Sequence, residues 1–197
     1  MFNFKPCAAG CGQSAITGSD LCAEHSASPV DDSLRLAKLI KGQSVTRSLN
    51  FGGLTFTGTN FSGKKYLGCN FNKAKFIDCS FIGAFLRFNF FDFAEFLNCD
   101  FSQTDMEFNS FGGSVISKCI FKEAELVQIN FNGTSITEST FESSNLYASR
   151  FVNSKVVLSG IIDCNVKDVY FMNSTLDDVS FKASNTYDAI FEMDKIQ

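Results

Sequence analysis

Three cysteines and the chain's single histidine crowd into its first 25 residues as Cys7-x3-Cys11-x10-Cys22-x2-His25. Thiolates and an imidazole at this spacing are the donor set of a four-coordinate Cys3His zinc site. A segment this short buries too little apolar surface to fold unaided, and a structural zinc ion supplies the missing free energy. Gly10, Gly12 and Gly18 ease the turns between ligand pairs. Four good ligands leave no open position for an activated water, which disfavours catalytic zinc; free or disulfide-bonded thiols are the other reading of these residues. Lys5 is the segment's only basic side chain, against Asp20 and Glu24. That balance argues against direct nucleic-acid binding and for a protein partner.

What must position this segment is read from the rest of the chain. From residue 49 onward a large apolar residue returns at every fifth position, from Phe51, Phe56 and Phe61 through Phe111 to Phe181 and Phe191, with Thr186 the one polar exception among 29 centres. Two places before each centre sits a second series, mostly Ala, Cys, Ser or Thr, such as Ala74, Cys79, Ala84 and Ser139. A period of five fits neither an amphipathic helix nor an alternating strand. Large and small inward residues side by side, however, let neighbouring side chains interdigitate at a corner.

This pattern resembles the pentapeptide repeat family over roughly three quarters of the chain. The resemblance implies an all-β fold, a right-handed four-sided parallel β-helix with one unit per side and four per coil. Phe fills 14 of the 15 centres spaced ten apart from Phe51 to Phe191, Ile161 excepted, so two opposite walls carry phenylalanine columns. At the strand spacing of about 4.8 Å, about seven coils make a rod of roughly 35 Å. The Cys3His segment, in turn, resembles small zinc-binding knuckles, with a first ligand pair one residue wider than the commoner spacing.

Three parts follow: a zinc-binding knuckle over 1–26, a linker and capping helix over 27–48, and the β-helix over 49–197. Ser26 to Pro29 reads as linker, Asp31 or Asp32 as the helix N-cap, Leu36, Leu39 and Ile40 as an apolar stripe, and Gly42 as the stop. The helix is expected to cover the first open edge of the coil stack. At the far end Leu176, Phe181, Phe191, Met193 and Ile196 are expected to form a homodimer contact.

No catalytic constellation is legible beyond the zinc ligands, so the chain is not expected to be an enzyme. Cys69, Cys79, Cys99, Cys119 and Cys164 fall on the small inward position, and Asn89 and Asn109 are placed to stack as a buried amide ladder. Net charge is −4, which disfavours a general binder of polyanions. No apolar run is long enough to span a membrane, and no secretory signal is legible at the start; the cytoplasm is the expected compartment.

The outward surface holds one departure from the repeat. Phe85, Phe88, Phe90, Phe93 and Phe108 all occupy outward positions around one corner. Either the N-terminal segment folds back over them or another chain does. The expected function is therefore a non-enzymatic scaffold that engages a protein partner. The family resemblance implies an alternative, because some members mimic B-form DNA and bind type II topoisomerases such as gyrase, protecting them from inhibitors. This chain departs from that type in its modest acidity and in lacking a loop insertion or a terminal dimer helix.

Overall fold

The structure is a computed structural model that describes residues 4–192. Met193 and Ile196, two of the expected dimer-contact residues, lie outside the described residues.

Helix α1 (Pro29–Lys41) begins on a Ser28 N-cap whose hydroxyl accepts the Asp31 N–H, with Pro29 in the first turn. The cap is thus Ser28 rather than Asp31 or Asp32. Proline has no N–H to lose at this position and its fixed φ suits the helix start, so Pro29 belongs to the helix and not to a linker. Leu36 and Ile40 are fully buried in the core, whereas Leu39 is exposed and leaves the expected stripe. Gly42 ends the helix, and Lys64 from the first full coil donates to the terminal carbonyls of Ile40 and Lys41.

The strands are short and evenly spaced: β1 (Val45–Arg47), β2 (Thr55–Thr57), β3 (Lys65–Leu67), β4 (Lys75–Ile77), β5 (Phe85–Arg87), β6 (Glu95–Leu97), β7 (Asp105–Glu107), β8 (Val115–Ser117), β9 (Glu125–Val127), β10 (Ser135–Thr137), β11 (Lys155–Gly160) and β12 (Thr175–Ser180). One wall stacks β1-β3-β5-β7-β9, another β2-β4-β6-β8-β10-β11-β12, all in parallel. Each residue pairs with the one twenty further on, as in Thr46 with Tyr66 and Phe56 with Phe76. The other two walls are held by single bridges such as Asn50–Asn70 and Asn60–Ser80. The result is a parallel β-solenoid of about seven turns. It starts at Val45, ahead of the boundary drawn at residue 49, because its first centre is the polar Thr46, buried beneath the cap.

The core is what the repeat demands. Phe51, Phe71, Phe91, Phe111 and Phe131 stack in one column at centroid spacings of 4.6–5.2 Å, and Phe61, Phe81, Phe101, Phe121 and Phe141 in another at 4.6–4.8 Å. Cys79, Cys99 and Cys119 are buried on one wall, and the thiols of Cys79 and Cys99 reach the carbonyls of Phe56 and Phe76. Burial pushes the Cys69 and Cys164 thiols up to about 11, which leaves them protonated and unreactive at neutral pH. The amide ladder forms: Asn89 Nδ2 donates to Asn109 Oδ1 at 2.9 Å and to the Tyr66 carbonyl at 2.9 Å. Two places after each centre the chain turns the corner through the left-handed region, as at Gly53, Asp78, Asn98 and Gly113.

Candidate functional site

The N-terminal segment is built as a hairpin followed by a turn. Pro6 bridges Ser14 antiparallel, and Cys7 N–H donates to the Gln13 carbonyl, which places Cys7 and Cys11 at either side of one tight loop. The second ligand pair sits on a helical turn in which the N–H groups of His25 and Ser26 both donate to the Cys22 carbonyl.

These two pieces bring Cys7, Cys11, Cys22 and His25 together with all donor atoms within 4.8 Å of one another. Cys11 Sγ lies 3.7 Å from Cys22 Sγ, and His25 Nδ1 lies 3.3 Å from Cys22 Sγ and 3.8 Å from Cys7 Sγ. Metal–sulfur bonds of about 2.3 Å and metal–nitrogen bonds of about 2.0 Å in a tetrahedron require edges of about 3.8 and 3.6 Å. Three of the six edges lie near these values, and the four side chains could hold a metal. The Cys22 backbone N–H points at Cys7 Sγ from 3.3 Å and, with a second N–H at Ala9, lowers the Cys7 thiol to about 7. Such N–H donors favour the thiolate a metal requires.

The described part of the segment, from residue 4, does not cover the outward phenylalanines. It packs on the first coil instead. Ile16 is buried in the solenoid core, Thr17 exchanges hydrogen bonds with the Asn50 backbone, and Asn50 Nδ2 donates to the carbonyls of Ser14 and Ala15 at 3.1 and 2.7 Å. A Cβ added at Gly53 would fall 2.9 Å from that of Ala23. Asn50 and Gly53 are thus part of the N-terminal module's seat. The pair Gly52-Gly53 signals no more than a turn in the sequence, since nothing in a sequence says which coil a separate segment touches.

The aromatic corner divides in two. Phe88, Phe93 and Phe108 are 49, 67 and 45% exposed, and Phe88 stacks on Phe108 at 5.1 Å. Phe85 is half-buried under Arg87, whose guanidinium carbon lies 4.0 Å from the ring centroid, with Lys65 Nζ at 5.4 Å. Phe90 is half-buried and bridges Asn70 and Ser110. The exposed three share a second property: each occupies the left-handed corner position, with φ of 57, 58 and 55°. That conformation suits glycine or asparagine and strains a bulky residue. Gly113, one coil beyond Phe93, accommodates its ring, since a Cβ there would lie 2.6 Å from Phe93 Cε1. At the other end, Leu176, Phe181 and Phe191 are half-buried against the core.

Residues 69–107 match the family model for pentapeptide repeats, in eight copies. No curated protein matches the chain. Among solved structures it is similar to HetL, a pentapeptide repeat protein involved in heterocyst differentiation regulation in the cyanobacterium Nostoc, at 12% identity over 82% of this chain and 96% of that one, with a TM-score of 0.35. It is also similar to QnrB1, a plasmid-mediated fluoroquinolone resistance protein (20% identity, 71% and 82% covered, TM-score 0.29), and to a pentapeptide repeat protein of the Arabidopsis thaliana thylakoid lumen (19% identity, 68% and 71% covered, TM-score 0.31). The assignment rests on the matched repeats and on the twenty-residue register that continues them to both sides. The chain thus carries pentapeptide repeats, matched over residues 69–107, within a parallel β-solenoid that has a Cys3His cluster near its N-terminus.

Proposed function

We propose that the protein is a non-enzymatic interaction scaffold: a rigid solenoid that presents the corner of Phe88, Phe93 and Phe108 to a protein partner and holds its N-terminal module with a structural zinc ion. The observation that carries the reading is that corner. Each exposed ring forgoes roughly 1.5–3 kcal/mol of burial and occupies a backbone position that disfavours it, so the residues serve something other than the coil. Zinc is the metal best suited to three thiolates and an imidazole in a tetrahedron. Cys7, Cys11, Cys22 and His25 would hold it, and the energy of binding would fold the module onto Asn50.

Mimicry of duplex DNA draws less support, because the outward acids are interleaved with bases. Lys75 pairs with Glu95, Arg87 with Asp105 and Glu107, and Lys122 with Glu142. A homodimer through Leu176, Phe181 and Phe191 is a further contact this scaffold would accommodate. The test is a pull-down comparing the intact chain with a Phe88→Ser/Phe93→Ser variant and with a chain lacking residues 1–26. A partner held by the intact chain and lost by the double variant supports the corner. A partner retained by the double variant overturns it, and a topoisomerase among the captured proteins would favour mimicry.

A further inference from the structure

The charge of this chain is not spread evenly. Between residues 33 and 77 there are eight lysines and arginines and not one aspartate or glutamate, although the whole chain carries −4. That stretch is α1 beyond its first turn, where Asp31 and Asp32 lie, and the first coils, so basic charge predominates at this end of the solenoid.

An open sheet edge lies in the same place. Strand β2 is the outermost strand of the seven-stranded wall. Its inner side is used by β4, through Lys75 N–H to the Leu54 carbonyl and Gly58 N–H to the Ile77 carbonyl. In a parallel ladder alternate residues point their polar groups to opposite sides. The N–H and C=O groups of Thr55 and Thr57 therefore face outward, and both residues are exposed. Among the described residues the one bond made to them there is from the Thr59 hydroxyl to the Thr57 carbonyl, at 3.4 Å. Helix α1 seals the core with Leu36 and Ile40 and packs beside β2, making no hydrogen bond to Thr55 or Thr57 among the described residues.

Instead α1 and β2 form the two sides of a groove. Val30, Leu34 and Ala37 line one side, Thr55, Phe56 and Thr57 the other. Val30 and Leu34 are exposed at 69 and 65%. The groove shares Ala37 and Thr59 with an adjoining hollow lined by Lys38, Lys41 and Lys64. An unpaired strand edge, an apolar helix face and a cluster of ammonium groups thus follow one another along one surface.

We infer that this groove is a docking site for an extended, acidic segment of a partner protein, which adds as a strand to β2. Main-chain bonds to Thr55 and Thr57 would hold the segment, an apolar side chain would lie over Val30 and Leu34, and carboxylates would reach Lys38 and Lys41. Lys38, Lys41 and Lys64, with Asp31 and Asp32 confined to the far end of α1, select a segment whose carboxylates lie at the lysine end. This rests on the scaffold reading but uses a surface separate from the aromatic corner.

The test pans a phage-displayed library of random dodecapeptides against the full chain and compares the enriched peptides on three variants. Enriched peptides are expected to combine carboxylates with apolar residues. Their affinity should fall about tenfold or more on Lys38→Glu/Lys41→Glu, and also on Thr57→Pro, which removes an outward N–H that the fold does not use. Proline is tolerated at such an edge position, and an unchanged melting temperature checks this. Peptides that bind all variants equally, or an enriched pool without acidic residues, or no enrichment, would overturn the inference. Peptides lost on Phe88→Ser/Phe93→Ser but kept on Thr57→Pro would support the aromatic corner and refute the groove, so the two readings fail separately.

Discussion

Replacing Phe111 by alanine should be among the more damaging changes this chain can suffer, and the same change at Phe191 should cost far less. Phe111 is fully buried between Phe91 at 4.7 Å and Phe131 at 5.2 Å, with Phe96 and Phe101 against it at 5.7 and 6.3 Å. Truncation removes the ring and opens a cavity that a backbone laddered on both sides cannot collapse, so the loss should be about 3–5 kcal/mol. Among the described residues Phe191 stacks on Phe171 alone, at 5.2 Å, touches Phe181 edge-on and is only half-buried. With one stacking neighbour among the described residues, against two for Phe111, about half that loss is expected. Urea denaturation followed by far-UV circular dichroism measures both. With a slope of about 2 kcal/mol/M, the midpoint should fall by about 2 M for Phe111→Ala and about 1 M for Phe191→Ala. Equal shifts would refute the picture of a stack whose stability is set by neighbours on either side.

Four further outcomes can be checked. Elemental analysis should find one zinc per chain, absent in Cys22→Ser, and acidification should release it because the thiolate ligands reprotonate; a metal content unaffected by Cys22→Ser would sink the site. Tyr66→Phe should be neutral or stabilising by about 1 kcal/mol, since the Tyr66 hydroxyl is buried without a hydrogen-bond partner among the described residues; a clear loss in thermal melting would show a partner there. Phe88→Asn should leave stability within about 1 kcal/mol in the same assay, the relief of the left-handed strain offsetting the lost stack on Phe108. Burial opposes ionisation of Asp32, but the Arg35 guanidinium and the Ser26 hydroxyl outweigh it and hold the carboxyl below its ordinary value. Its contribution is present above the usual carboxylate range and lost as pH falls through the lowered value, so Asp32→Asn should flatten the acid limb of a stability–pH profile.

The coil architecture was legible because every fifth side chain is forced inward, and a periodicity enforced by burial survives in the sequence as residue type. The ligand cluster was legible for a similar reason, since few other uses put three cysteines and the sole histidine within nineteen residues. Other features depend on packing between segments. Thr46 hid the first strand because its centre is polar, and Pro29 read as linker because proline marks both linkers and first turns. Phe85 and Phe90 carry the same outward pattern as Phe88, yet the arginine over Phe85 comes from its own strand two residues on, and the pattern assigns both only to the outside. Nor does an outward assignment reveal that Phe88, Phe93 and Phe108 stand on left-handed corners. The basic end did not show in the net charge, because basic and acidic side chains separate along the axis and a total sums over it.

A repeat this regular makes its irregularities informative. The solenoid asks for a large apolar centre, a small residue two before it, and a residue tolerant of positive φ two after it; a chain obeying only these rules would show glycine, asparagine or aspartate at every corner. Most corners here conform or carry a polar side chain. The three phenylalanines that do not conform fall in adjacent coils, two of them stacked, with a glycine one coil on beneath the third. Scattered drift would not place that glycine under that ring or set one phenylalanine directly over another. The same logic applies at the basic end, where residues 33–77 carry lysines and arginines without an acid beside an unpaired strand edge. Both places cost the isolated fold something, in backbone strain at one and in like-charge repulsion at the other. A surface that costs the fold stability without packing its core is best accounted for by what binds there.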